Sequence, residues 1–122
     1  MKYNTLDVII SEAIETKRDD IKTCEADVAH WREVGDKDRQ EAEEYELHLL
    51  RGELEKLEDI RARCEDLPPL YHEEDVEVVI YDIHVHDVPE SVRMYVDWES
   101  MADDYMVNAE KIEYEDIVYY AV

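Results

Sequence analysis

Two runs of apolar residues at seven-residue spacing constrain the fold of this chain more than any other feature. In the first run, Ile14, Ile21 and Val28 recur every seven positions. A second row beside it is interrupted by one lysine and contains Ile10, Lys17, Cys24 and Trp31. This spacing places apolar side chains along one stripe of an α-helix. The pattern then returns in two further rows, Leu47 with Leu54, and Leu50 with Leu57 and Cys64.

Gly35 and Asp36 separate the two runs. Glycine is common just after the end of a helix, and aspartate is favoured at the start of one, so the sequence predicts an antiparallel helical hairpin. In such a hairpin, residue i lies roughly opposite residue 71 − i. Cys24 is therefore expected to face the region of Leu47, and Cys64 to face the start of the first helix. The two thiols are too far apart for a disulfide, which fits a reducing cytoplasm.

The clearest boundary in the sequence is Leu67-Pro68-Pro69. A residue before proline is pushed away from helical backbone angles, and two prolines form a stiff extended spacer. We therefore divide the chain into a helical hairpin at residues 1–66, a connector at residues 67–74 and an acidic α+β module at residues 75–122.

The module is predicted to contain strands and short helices. Asp75–His86 is rich in β-branched residues that alternate with polar ones, which predicts a strand. Pro89 suits the first position of a helix, and Asp97 suits the cap of another. Residues 111–122 predict a strand or a tight hairpin around Glu115-Asp116. The predicted fold class is α+β, with an antiparallel helical hairpin followed by a small strand–helix–helix–strand module.

Charge limits the classes of partner. The chain has 35 acidic and 13 basic residues and a formal net charge of −22. Residues 67–122 hold 15 of the acids and only two of the bases. Direct binding of nucleic acid requires clustered lysine and arginine, so it is disfavoured, whereas a positively charged partner is favoured. Two explanations stay open: the acidity is common to the proteins of the source organism or compartment, or the acidic surface is the functional part.

No catalytic arrangement is recognisable in the sequence. Two glycines provide no phosphate-binding loop, and no Ser-His-Asp or Cys-His pattern has supporting context. Asp82, His84 and His86 would share one face of the predicted strand, as ligands do in some zinc hydrolases. Because the motif is short and no further ligand is assured, we favour histidines that moderate an acidic strand. We expect no enzyme, no cofactor and no metal, and a metal-dependent hydrolase is the third hypothesis.

The C-terminal part of the chain carries a family resemblance. Pro89-Glu90, Tyr95-Val96-Asp97-Trp98-Glu99, Ala102-Asp103-Asp104-Tyr105 and a terminal Val118-Tyr119 resemble the C-terminal end of the antirestriction protein A family. The resemblance covers residues 89–122. Asp103 stands where the family has arginine, and the hairpin is unlike the family's N-terminal domains. Family members are acidic DNA mimics, borne by plasmids and transposons, that block type I restriction–modification enzymes.

The resemblance and the charge together imply a phage or mobile-element inhibitor in the host cytoplasm. It would occupy the DNA groove of a basic nucleic-acid-binding defence enzyme, of the restriction–modification or CRISPR type. Trp98 and Tyr105 are expected to hold the scaffold rigid. Ten carboxylates are expected to imitate phosphates: Asp82, Asp87, Glu90, Asp97, Glu99, Asp103, Asp104, Glu113, Glu115 and Asp116.

The alternative hypothesis is a coiled-coil scaffold or adaptor protein, in which the hairpin mediates assembly between proteins. Leu49 and Ile60 lie just off the predicted seam and are the candidates for a homodimer contact. No stretch of the sequence approaches the length of a membrane span, so no membrane partner is expected.

Overall fold

A computed structural model describes residues 4–122, which form two compact units. The hairpin unit is Ile9–Arg63. The acidic unit contains Cys64–Val122 together with residues 4–8. The first consists of two long antiparallel helices, and the second combines helices with a three-stranded sheet, so the predicted α+β fold class is confirmed.

Within residues 4–122, four α-helices and three β-strands follow one another. In order they are α1 Leu6–Val34, α2 Lys37–Glu65, β1 Leu70–His72, α3 Val76–His84, α4 Trp98–Asn108, β2 Lys111–Tyr114 and β3 Ile117–Ala121. Two 3-10 helices, Val85–Asp87 and Glu90–Tyr95, lie between α3 and α4. Within the described residues, no helix has an apolar stretch long enough to cross a lipid bilayer.

The turn between α1 and α2 forms as the sequence predicts. Gly35 has a positive φ of 76°, a conformation that glycine adopts without a steric penalty. The Asp36 side chain accepts a hydrogen bond from the backbone N–H of Arg39 at 3.1 Å, and so caps the start of α2. Short-range chemistry alone therefore ends one helix and begins the next.

The seam of the hairpin unit also follows the predicted register. Ile21, Cys24 and Leu47 form a buried cluster, against which Leu50 and Leu54 pack. Three ion pairs cross between the helices outside this cluster: Lys17–Glu53 at 2.6 Å, Arg18–Glu58 at 3.3 Å and Arg32–Glu44 at 3.6 Å. Cys24 and Cys64 are both buried, and no disulfide joins them.

In the acidic unit, the three strands are antiparallel in the order β1-β3-β2. Ile112 and Tyr119 are register partners, and both are buried. Tyr71 and Tyr120 pair on the opposite face of the sheet. Strand β1 lies in the segment that was expected to be a connector, where the two prolines obscured its short apolar pattern.

The predicted strand at Asp75–His86 is wrong. This segment forms α3, Val76–His84, and continues into the 3-10 helix Val85–Asp87. β-branched residues have only a slight preference against helix, and tertiary packing overrides such preferences routinely. The strand–helix–helix–strand order therefore holds only because β1 supplies the first strand.

Burial along α3 has the helical period. Val76, Val79 and Ile80 are buried, at spacings of three and four residues. Tyr81 and Ile83 are 40% and 51% exposed, although a strand would place both on the same face as Val79. An alternating pattern and a helical pattern shared several apolar positions in this segment, and the packing partners selected the helix.

The core of the acidic unit is the contact between α3, α4 and one face of the sheet. Val76, Ile80 and Ala102 are almost fully buried and form one cluster. Tyr71 and Tyr120 of the sheet pack against that cluster, as do Met101, Met106 and Val122. Both helices are thereby fixed on the same side of the sheet, with their outer faces in solvent.

Candidate functional site

All ten carboxylates predicted to contact a partner are exposed. Three groups of them lie close together along the chain. Asp82, Asp87 and Glu90 lie on α3 and the 3-10 helices, and the β2–β3 hairpin carries another group, Glu113, Glu115 and Asp116. The third group extends from the cap of α4 to its middle: Asp97, Glu99, Asp103 and Asp104. The predicted residues therefore lie on three acidic segments of one unit, each of them local in the sequence.

Few cations accompany these segments, since residues 67–122 contain only one arginine and one lysine. Four ion pairs that join a lysine or arginine to a carboxylate lie in the hairpin unit. Arg93 donates its Nε–H to the backbone oxygen of Val88 at 3.0 Å, so it braces the backbone beside the acids. The acidic unit therefore carries a concentrated negative potential.

Asp97 fixes the start of α4. Its carboxylate accepts hydrogen bonds from the backbone N–H of Ser100 at 3.0 Å and from the Ser100 hydroxyl at 2.9 Å. The backbone hydrogen bond is the main cause that lowers the pKa of Asp97 below its usual value. The predicted cap is confirmed, and its hydrogen bonds favour the ionised form of this carboxylate.

The carboxylates of α4 lie on its exposed surface. Glu99 and Asp103 are four residues apart and lie on one side of the helix. Asp104 lies on another side, and Asp97 precedes the first turn as its cap. Because Ala102 and the methionines beside it face the core, these carboxylates are left in solvent.

The β2–β3 turn places two acids in an uncommon backbone conformation. Glu115 and Asp116 have positive φ angles of 52° and 64°, and Tyr114 pairs with Ile117 across the turn. A two-residue turn of this kind favours Asn-Gly, because both positions are left-handed. Asp tolerates that conformation, whereas Glu is a poor choice for it.

Two aromatic contacts join α4 to α3. The rings of Tyr81 and Trp98 meet edge to face, with centroids 5.0 Å apart. The hydroxyl of Tyr105 and Nε2 of His84 are 2.9 Å apart and share a hydrogen bond. These contacts supplement the buried core and join α4 to α3. Trp98 and Tyr105, which were expected to support the scaffold, therefore both make contacts between the two helices.

The geometric basis of the metal hypothesis is lost with the strand. His84 is the last residue of α3 and His86 lies in the following 3-10 helix, so they do not share a face as alternate strand residues do. His84 lies 4.0 Å from Asp87 and bonds to Tyr105. Within residues 4–122, no group of three or more histidine, cysteine, aspartate or glutamate side chains is placed to hold a metal ion.

A cleft beside the predicted acids was not anticipated from the sequence. Glu77, Val78, Tyr81 and Trp98 line it. The predicted strand at Asp75–His86 had no expected relation to Trp98. The signal that would have found the cleft is helical: Glu77 and Tyr81 are four residues apart, one turn of α3.

Comparisons of this chain with protein-family models, with curated proteins and with solved structures gave no match. The interpretation of the acidic surface therefore rests on its charge and geometry. The resemblance of residues 89–122 to the antirestriction protein A family stays a prediction.

Proposed function

We propose that this chain is an acidic mimic of nucleic acid that inhibits a host defence enzyme by occupying its DNA groove. The observation that carries the proposal is the exposure of all ten predicted carboxylates on a unit that has few cations. Enzymes that bind DNA line their grooves with arginine and lysine for phosphate, and these side chains also bind carboxylates. A restriction–modification enzyme or a CRISPR-type complex in the host cytoplasm is the proposed partner.

The spacing of charge on α4 supports the proposal. Four carboxylates fall between residues 97 and 104. Seven steps of about 1.5 Å separate the ends of this segment, so a carboxylate follows about every 3.5 Å along the helix axis. One strand of B-DNA carries a phosphate about every 3.4 Å. The density of charge along α4 is therefore similar to that along one DNA strand.

The β2–β3 turn supports it independently. Glu115 and Asp116 occupy left-handed positions where Asn-Gly would be less strained. Their presence adds two exposed negative charges at the tip of the hairpin. If the acidic surface is functional, charged residues are expected even at positions where neutral residues fit the backbone better.

The proposed mechanism has no turnover and no cofactor. The acidic unit binds in the groove, and its carboxylates pair with the cations that otherwise hold phosphates. DNA is then excluded sterically and electrostatically. Because the attraction is between exposed charges, affinity is expected to fall as salt rises.

Charge reversal tests the proposal. Glu99, Asp103 and Asp104 are changed to lysine together, and Asp97 is kept so that the cap of α4 survives. The matched control reverses three exposed carboxylates of the hairpin unit, Asp20, Glu55 and Asp59, and changes the net charge equally.

The target is first recovered from nuclease-treated host lysate on the immobilised protein, with elution across a series of salt concentrations. Displacement of DNA from the recovered enzyme is then measured with each variant. The α4 variant should displace DNA at least about tenfold less well than the unmodified chain, and the control should match it. Equal loss in both variants, or in neither, would refute the proposal.

A second candidate function is assembly through the hairpin unit. Tyr45 and Leu49 are four residues apart on α2 and are 65% and 41% exposed, so they form a small apolar stripe. Ile60, the other predicted contact, is half-buried. If this stripe joins two copies of the chain, Leu49→Glu should convert a dimer to a monomer in light scattering. A monomer before the substitution would dismiss the candidate.

A further inference from the structure

The cleft between α3 and the start of α4 has the chemistry of a cation site. It has a volume of about 170 Å³ and is lined by Glu77, Val78, Tyr81 and Trp98. Val78 is 46% exposed and Tyr81 is 40% exposed, so ring and aliphatic surface face solvent at its mouth. One carboxylate, two aromatic rings and one aliphatic side chain therefore surround a small open space.

The two rings stand almost at right angles, with an interplanar angle of 78° and centroids 5.0 Å apart. This arrangement forms a corner with aromatic walls. The face of an aromatic ring carries a partial negative charge and attracts a cation placed within about 6 Å of the ring centre. Glu77, one helical turn before Tyr81, adds a full negative charge at the same opening.

The hairpin unit shows how this chain holds a cation with the same groups. The guanidinium carbon of Arg39 lies 4.6 Å from the centre of the Trp31 ring. Nε of Arg39 lies 3.4 Å from a carboxylate oxygen of Asp36. A tryptophan and a carboxylate thus enclose one arginine. In the part of the chain that the structure describes, Trp98 has no such cation, although a carboxylate and a second ring lie beside it.

We propose that the cleft between Tyr81 and Trp98 binds an arginine side chain of the basic partner. The proposal deepens the proposed function and rests on it, because a DNA groove supplies arginines directed outward. The planar guanidinium stacks on aromatic rings and pairs with a carboxylate, which a compact ammonium does less well. The aliphatic stem of the arginine contacts Val78. The cleft gives the complex one specific anchor among many exposed charge pairs.

Nuclear magnetic resonance can test the cleft on the protein alone. The probe is the peptide acetyl-Gly-Arg-Gly-amide, and the reference peptide replaces arginine by citrulline, which has a similar shape and no charge. The indole N–H signal of Trp98 should shift saturably with the arginine peptide and not with the citrulline peptide. The indole signal of Trp31, whose ring already holds Arg39, serves as the internal reference and should stay in place.

Variants assign the contact to the cleft. Tyr81→Leu removes one wall and Glu77→Gln removes the carboxylate, and each should weaken peptide binding by about three- to tenfold. Glu110→Gln removes one exposed charge of the same unit outside the cleft and should leave binding unchanged. Circular dichroism is recorded to check that Tyr81→Leu is folded. Glu77→Gln provides a second test that does not depend on Tyr81→Leu, because it keeps the size of the side chain. Equal shifts with both peptides, or equal weakening by Glu110→Gln, would overturn the proposal.

The DNA-displacement assay separates this inference from the proposed function. If the unmodified chain displaces DNA and both cleft variants displace it equally well, the cleft does not anchor the partner and the inference fails while the proposed function stands. If the cleft binds the arginine peptide as described but no enzyme loses DNA, the proposed function fails and the ligand class of the cleft stands.

Discussion

The β2–β3 turn gives the most informative prediction, because stability and function are expected to change in opposite directions there. Changing Glu115 to Asn and Asp116 to Gly installs the pair that this two-residue turn favours. A left-handed residue other than glycine costs about 1–2 kcal/mol, and aspartate costs less. The added glycine offsets part of this stabilisation, because it increases the conformational entropy of the unfolded chain. The net expectation is about 1 kcal/mol of added stability, or roughly 4 °C in melting temperature.

The control pair, Glu115→Gln with Asp116→Asn, removes the same two charges and keeps a side chain at both positions. The difference between the two double variants in thermal unfolding therefore reports the relief of backbone strain, less the entropy cost of the added glycine. If the Asn-Gly variant melts no higher than the Gln-Asn variant, the reasoning about the turn is refuted. Both variants should displace DNA less well than the unmodified chain, because both lose two carboxylates. Unchanged displacement by both would remove this turn from the proposed binding surface.

Three further predictions concern the stability of the fold. Ile80→Ala should lower the free energy of unfolding by about 2–5 kcal/mol in chemical denaturation, because Ile80 is fully buried. Ile83→Ala should change it by less than about 0.5 kcal/mol, because Ile83 is half exposed. Similar losses of stability in both variants would favour a strand instead of α3. Asp97→Ala should lower the melting temperature, whereas Asp97→Asn should largely preserve it, since asparagine also caps helices. Because folding lowers the pKa of Asp97, the stability that this carboxylate contributes is present above its pKa in the unfolded chain and is lost as pH falls through its pKa in the fold. Burial is the main cause that raises the pKa of Cys24, followed by a hydrogen bond with Glu43, and burial also raises the pKa of Tyr119. The stability that these groups contribute should therefore be complete at neutral pH and should decline as pH rises past their ordinary pKa values. In melting curves recorded against pH, Cys24→Ala should remove the earlier part of that decline.

The hairpin unit shows how much a sequence can determine when its signals are local and repeated. Heptad spacing set the faces of both helices, and Gly35 with Asp36 set the turn between them. The cluster of Ile21, Cys24 and Leu47 then followed from the register. Each of these features depends on residues within a few positions of one another or on a period that is repeated along the helix.

In the acidic unit, the α4 cap and the β2–β3 turn were predictable for the same reason. Asp97 with Ser100 and the short turn at Glu115-Asp116 are contacts between near neighbours. The number of acids in residues 67–122 was also readable from the sequence, and charged side chains are rarely buried without a partner.

Only the tertiary structure decided that Asp75–His86 is helical. Its valines and isoleucines fit an alternating strand and an amphipathic helix almost equally well, so the choice depended on what packs against them. Ala102 on α4 and the paired tyrosines of the sheet offer a surface that accepts Val76 and Ile80 together, four residues apart. Packing against Ala102, some twenty residues away in the sequence, thus decided that this segment is a helix.

The same choice created the cleft beside Trp98. The sequence determined that this chain has a helical hairpin, a strongly acidic C-terminal half and carboxylates exposed to solvent. The tertiary structure decided which aromatic rings accompany those carboxylates, because Tyr81 and Trp98 meet only when α3 is a helix packed on α4. Charge is additive along a sequence, whereas a cleft exists only where separate elements meet.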